Sequence, residues 1–129
     1  LRLGENRNAI TRIGSVVLPI YDATAETFDE LVLRPRDELI VVDFWGPGCP
    51  NCEVFAEAAP GLLSELGDAP VRIVKVNAYE HESLAHRFAL FGIPTFLLFR
   101  EGKLLGRMSQ YYGREYWLNV IRERLPARA

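Results

Sequence analysis

The chain has 129 residues, of which 49% are hydrophobic and 25% charged, and its formal net charge is -2. These values fit one soluble globular domain with a single core. They give no electrostatic reason to bind nucleic acid or a membrane surface, and no run approaches the ~20 apolar residues needed to span a bilayer. Charge is uneven: residues 1–15 carry three Arg and one Glu, and residues 113–129 carry four Arg and two Glu. Both basic ends read as solvated termini. The short run 13–20 contains Gly14 and Pro19 and lacks a small-residue cleavage site, so no signal peptide is expected. The expectation is a cytoplasmic monomer.

Residues 1–15 show no clear period and read as an N-terminal extension to a domain spanning 16–129. A first strand is expected at 16–20. Thr27 and Glu30 have capping-box spacing and predict a short helix opening at Thr27 and stopped by Pro35. Leu39-Ile40-Val41-Val42-Asp43-Phe44-Trp45 is nearly continuous apolar and β-branched, the pattern of a strand buried on both faces. A helix is expected from Cys49 or Pro50 to Leu66, with Pro at its first turn and Gly67 at its end. Strand patterns follow at 71–76, 95–99 and 103–108, with a turn at Glu101-Gly102. Helical spacing covers 81–90, and an amphipathic helix over 114–124 puts Trp117, Leu118 and Ile121 on one face. The fold class is therefore α/β.

Cys49 and Cys52 are the only cysteines, and they form one C-x-x-C, Cys49-Pro50-Asn51-Cys52, at a strand-to-helix junction. That placement reads as a thiol–disulfide redox centre. Exchange requires a thiolate to attack a disulfide and a second thiol to resolve the mixed disulfide. At a helix N-terminus the unpaired N–H groups and the dipole stabilise an anion. A thiol so placed has its pKa lowered from about 8.5 to roughly 3.5–7.5. Cys49 is accordingly the nucleophile and Cys52, one turn further in, the resolving thiol. Zinc is the competing chemistry, with His81 and His86 as further ligands. However, 28 residues separate Cys52 from His81 and both histidines fall in the 81–90 helical segment, so no metal is expected.

Four segments stand in order along the chain: Val42-Asp43-Phe44-Trp45 before the cysteines, Val74-Lys75-Val76-Asn77, Phe91-Gly92-Ile93-Pro94-Thr95 and Phe99-Arg100-Glu101-Gly102-Lys103. Together they resemble the thioredoxin family over roughly residues 16–125, in which the second segment matches a strand with a buried lysine, the third a cis-proline loop and the fourth a hairpin. The resemblance implies a thioredoxin fold, a central mixed sheet of four to five strands with helices on both faces. It implies a protein disulfide oxidoreductase that needs no cofactor beyond its Cys49–Cys52 disulfide, acting on disulfide-containing proteins and re-reduced by a protein such as a thioredoxin reductase. It makes Asp43 the buried carboxylate that helps deprotonate Cys52, with Lys75 as its partner. An Asp in such an apolar strand is costly without a partner or a task, and burial should raise its pKa. Pro94 is expected in cis, leaving the backbone at Ile93 to bond an extended substrate. Trp45, Gly48, Pro50 and Asn51 complete the expected substrate-contacting rim.

The chain also departs from the family pattern. Pro50-Asn51 replaces the usual Gly-Pro dipeptide, Gly48 stands where a second Trp is usual, and Glu53 replaces a Lys. Glu57 replaces a helix-bending proline, while Pro60 follows three residues later. Gln110-Tyr111-Tyr112 replaces a small, glycine-containing loop, where two Tyr read either as a rim for substrate or as surface aromatics. The altered dipeptide leaves a thiol oxidase or isomerase as the alternative to a reductase, and redox equilibration with glutathione separates them. A non-enzymatic partner-binding module is the third reading, and turnover by Cys49→Ser tests it.

Overall fold

The structure is a computed structural model and describes residues 10–127. Its centre is β3 (Leu39–Trp45), whose residues are buried through Phe44. A strand with no polar face must have both faces covered and both edges paired. β3 pairs in parallel with β4 (Val71–Asn77) and antiparallel with β5 (Thr95–Arg100). β2 (Val16–Asp22) lies parallel to the far side of β4, and β6 (Lys103–Met108) closes the other edge against β5. The Glu101-Gly102 turn joins β5 to β6 with both residues at positive φ, 52° and 76°, which a two-residue hairpin of this twist requires.

The sheet has six strands in the order β1-β2-β4-β3-β5-β6, one more than expected. The extra one, β1 (Ile10–Ile13), hairpins onto β2 through Gly14, which has φ 62°. It falls in the stretch read as an extension. Four residues at a half-exposed edge carry no periodic signal, so only pairing with β2 reveals them. Residues 1–9 of that extension lie outside the described residues.

Helices cover both faces. On one, α2 (Pro50–Leu66) and α4 (Arg114–Arg124) bury Phe55, Leu62, Trp117 and Ile121 against Val41, Ile73 and Phe96. On the other, α1 (Asp29–Leu33) and α3 (Glu82–Arg87) bury Phe28, Val32 and Leu84 against Ile40, Val42, Phe44 and Phe99. Each fully buried side chain of this size contributes ~1.5–3 kcal/mol.

The capping box expected at Thr27 does not form. The hydroxyl of Thr27 accepts the Thr24 N–H at 2.9 Å, and Thr24 in turn accepts from Glu26 and Thr27. These local bonds compete with the cap, so the helix opens at Phe28 without a side-chain cap as a single wide turn. α3 is also shorter than its 81–90 pattern. Ala89, at φ 53°, turns the chain out, and Arg107 Nη2 holds the Phe88 carbonyl at 2.8 Å.

Candidate redox site

β3 emerges from the sheet at Trp45 into the loop Gly46-Pro47-Gly48. Gly46 is required by close approach: a Cβ there would lie 2.5 Å from the Tyr79 ring and 2.9 Å from Ile93 Cδ1. Gly48 turns the chain at φ 75°, open to the left-handed region that glycine tolerates. Cys49 is then the extended N-cap of α2 and Pro50 its first residue. Cys49 Sγ accepts the Cys52 N–H at 3.2 Å, one of the donors a helix start leaves unpaired. The two cysteines are joined as a disulfide, with Cα atoms 5.2 Å apart. Cys49 is half-buried at the surface, while Cys52, at 6% exposure, faces inward. Glu53 is exposed in the first turn.

On the inner side lies Asp43, 3% exposed, with no hydrogen-bond partner for Oδ1. It shares a cleft of about 130 Å³ with Trp45, Gly46, Pro47, Cys52 and Lys75. Burial pushes its carboxyl up to about 7, Lys75 draws it down, and Asp22 adds to the rise. Lys75 stands directly opposite Asp43 in the strand register. Its amine lies over the Trp45 ring, 5.1 Å from the centroid. The expected partnership is therefore one of field and proximity, because Asp43 Oδ1 gains no hydrogen bond from it.

On the outer side, Asn51 Nδ2 donates to Gln110 Oε1 and to the Tyr111 carbonyl, the latter at 3.3 Å. Gln110 Oε1 also accepts the Tyr111 N–H at 3.3 Å. The dipeptide between the cysteines is thus tied to the loop between β6 and α4. Tyr111 packs on the Phe55 ring at 5.2 Å and serves the core, whereas Tyr112 is exposed and meets Tyr116 at 5.3 Å. The Ile93-Pro94 bond is cis, and Thr95 Oγ1 donates to the Gly92 carbonyl at 2.7 Å across that loop.

Two neighbours escaped the sequence: Tyr79 lies across Gly46 yet stays exposed, and Asp22 reaches the row containing Lys75 and Asp43. Phe91, the first residue of the cis-proline loop read from the sequence, is fully exposed. Ending the first strand at Ile20 hid Asp22, since its alternation with Ile20 continues two residues further. His81 is the N-cap of α3 and His86 lies within that helix. Among the described residues no three His, Cys, Asp or Glu side chains form a metal-binding group, and no helix is long and apolar enough to cross a membrane.

A thioredoxin family model matches residues 19–122. Thioredoxin 1 of Synechococcus elongatus is 34% identical over 89 residues, covering 69% of this chain and 78% of that protein. Thioredoxin Y2 of Arabidopsis thaliana, a chloroplastic protein, is 32% identical over 86 residues, 67% of this chain and 50% of its own length. Protein disulfide-isomerase 1 of Caenorhabditis elegans is 33% identical over 100 residues, 73% of this chain but only 20% of that protein.

Proposed function

The chain belongs to the thioredoxin family, its chemistry is thiol–disulfide exchange, and from that premise we propose that it reduces disulfides of protein substrates through Cys49 and Cys52. The reduced form begins the cycle. Cys49 is the attacking thiolate, held as an anion by the N-terminus of α2. It displaces one sulfur of the substrate disulfide and forms a mixed disulfide. Cys52 then passes its proton to Asp43 and attacks Cys49 Sγ. The second substrate sulfur leaves, and the Cys49–Cys52 disulfide forms. Asp43 suits that role because a base works best with its pKa near the working pH, and burial holds it at about 7. Ile93 and Pro94 offer backbone to an extended substrate, and Trp45, Gly48, Pro50 and Asn51 border it. Lys75 limits the rise in the pKa of Asp43. A protein reductant of the thioredoxin reductase type returns the disulfide to dithiol, in a reducing compartment such as the cytoplasm.

The observation that carries this reading is the N-cap position of Cys49, whose sulfur already takes a helix N–H. Cys49→Ser should abolish reduction of a model disulfide protein, and Cys52→Ser should accumulate the mixed disulfide at Cys49. Undiminished turnover by Cys49→Ser would end the proposal. The second reading is isomerisation or thiol oxidation. It is favoured by the Pro50-Asn51 dipeptide and by the likeness to a segment of a disulfide isomerase, and it predicts a more oxidising pair.

A further inference from the structure

Three charged side chains form one row across the sheet. Asp22 of β2 is paired with Lys75 of β4, and Lys75 with Asp43 of β3. The Ala23 N–H donates to the Lys75 carbonyl at 2.9 Å, which holds that register. Paired residues of neighbouring strands project to the same face, here the one covered by α2. All three side chains line a single cavity of about 250 Å³, walled by Thr11 and Ile13 of β1 and by Ala56 of α2. The cleft at Cys52 shares Asp43, Lys75 and Ala56 with that cavity. Asp43 thus stands between the space at the resolving cysteine and the space at Asp22, which is itself exposed.

We propose that Asp22 is a positioning residue for the resolving step, offsetting Lys75 so that Asp43 is ready to accept the proton of Cys52, and that the cavity under the β1–β2 hairpin conducts that proton to solvent. This rests on the exchange reading above. In the step, the Cys52 thiol gives its proton to Asp43. A bond forms between Cys52 Sγ and Cys49 Sγ, the bond from Cys49 to the substrate breaks, and the substrate sulfur leaves with the electron pair. That thiolate takes a proton from water, and Asp43 releases one to water beside Asp22, so protons and electrons balance.

The charges around Asp43 set the sign. Lys75 faces it from β4, Asp22 from β2, and Cys52 and Glu53 from α2 across the smaller cleft. β5 offers Phe96 and β1 offers Thr11, neither of which titrates. Lys75 favours the carboxylate and weakens it as a base. Asp22 opposes that effect.

The test follows the Asp43 carboxyl by carbon-13 NMR across pH, together with the pH profile of mixed-disulfide resolution. Two strand spacings separate Asp22 from Asp43, on the order of 10 Å. Asp22→Asn should therefore lower the Asp43 midpoint by roughly half a pH unit, and Asp22→Lys by about twice that. The half-maximal pH of resolution should fall by the same amounts. A midpoint that stays put or rises in both variants overturns the coupling. A midpoint that falls while the resolution profile stays fixed overturns the proton route. The NMR midpoint needs no turnover, so it is read even if Cys49→Ser shows the exchange reading to be wrong.

Discussion

The two sides of the Cys49–Cys52 pair are built on opposite principles. The outer side is tied by hydrogen bonds: Asn51 Nδ2 donates to Gln110 Oε1 and to the Tyr111 carbonyl, and Tyr111 is anchored on Phe55. The inner side is unsatisfied: Asp43 is buried with an unpartnered oxygen, and the Trp45 Nε1 beside it is unpartnered too. A hydrogen-bonded network fixes geometry, whereas a carboxyl taken out of water has a free energy that depends on its proton. The outer side therefore sets where the sulfurs stand, and the inner side sets when a proton moves.

The sharpest way to break that contrast is Asp43→Asn. As loss of a general base it should slow resolution by ~10²-fold or more, read as persistence of the mixed disulfide. It should also raise stability. A carboxyl whose folded pKa lies above its unfolded value costs stability as pH climbs from about 4 to about 7, and no further beyond. The rise to about 7 amounts to about 4 kcal/mol at full ionisation. Denaturant unfolding at pH 8 should show a gain of that order for Asp43→Asn, vanishing near pH 4. A wild-type stability that does not fall between those pH values would remove the contrast.

Gly46→Ala comes next in size. Its Cβ would collide with Tyr79 and Ile93, and overpacking of this kind costs about 1–3 kcal/mol. Tyr79→Ala in the same chain should recover much of the loss, because the nearest obstacle is that ring. A thermal-melt cycle of the two variants checks this. The smallest expected effect lies on the outer side. Gln110→Ala removes a bond of about 1 kcal/mol, visible as a small drop in melting temperature with the pH profile of resolution unchanged. A displaced pH profile in that variant would mean the outer side also governs the proton.

The inner side was largely legible in the sequence and the outer side was not. Asp43 stands out because it interrupts an apolar strand, and Cys49 and Cys52 because they are the only cysteines, at a strand-to-helix junction. β6 and α4 keep their expected bounds for different reasons: the Glu101-Gly102 turn sets where β6 starts, and Trp117, Leu118 and Ile121 hold a helical period in α4. The bond from Asn51 to Gln110 joins residues 59 positions apart, and no local pattern encodes such a contact. β1 failed to show for a related reason, as a short edge strand exists only through its partner. At Thr27 a real motif was present, but hydrogen bonds to Thr24 displaced it.

The measurement that bears most directly on the central claim is the reduction potential of Cys49–Cys52, obtained by equilibration with glutathione. A disulfide reductase of this family should equilibrate near the thioredoxin value, about -270 mV. A potential near that of disulfide isomerases, about -180 mV, would contradict the reducing direction assigned to the pair.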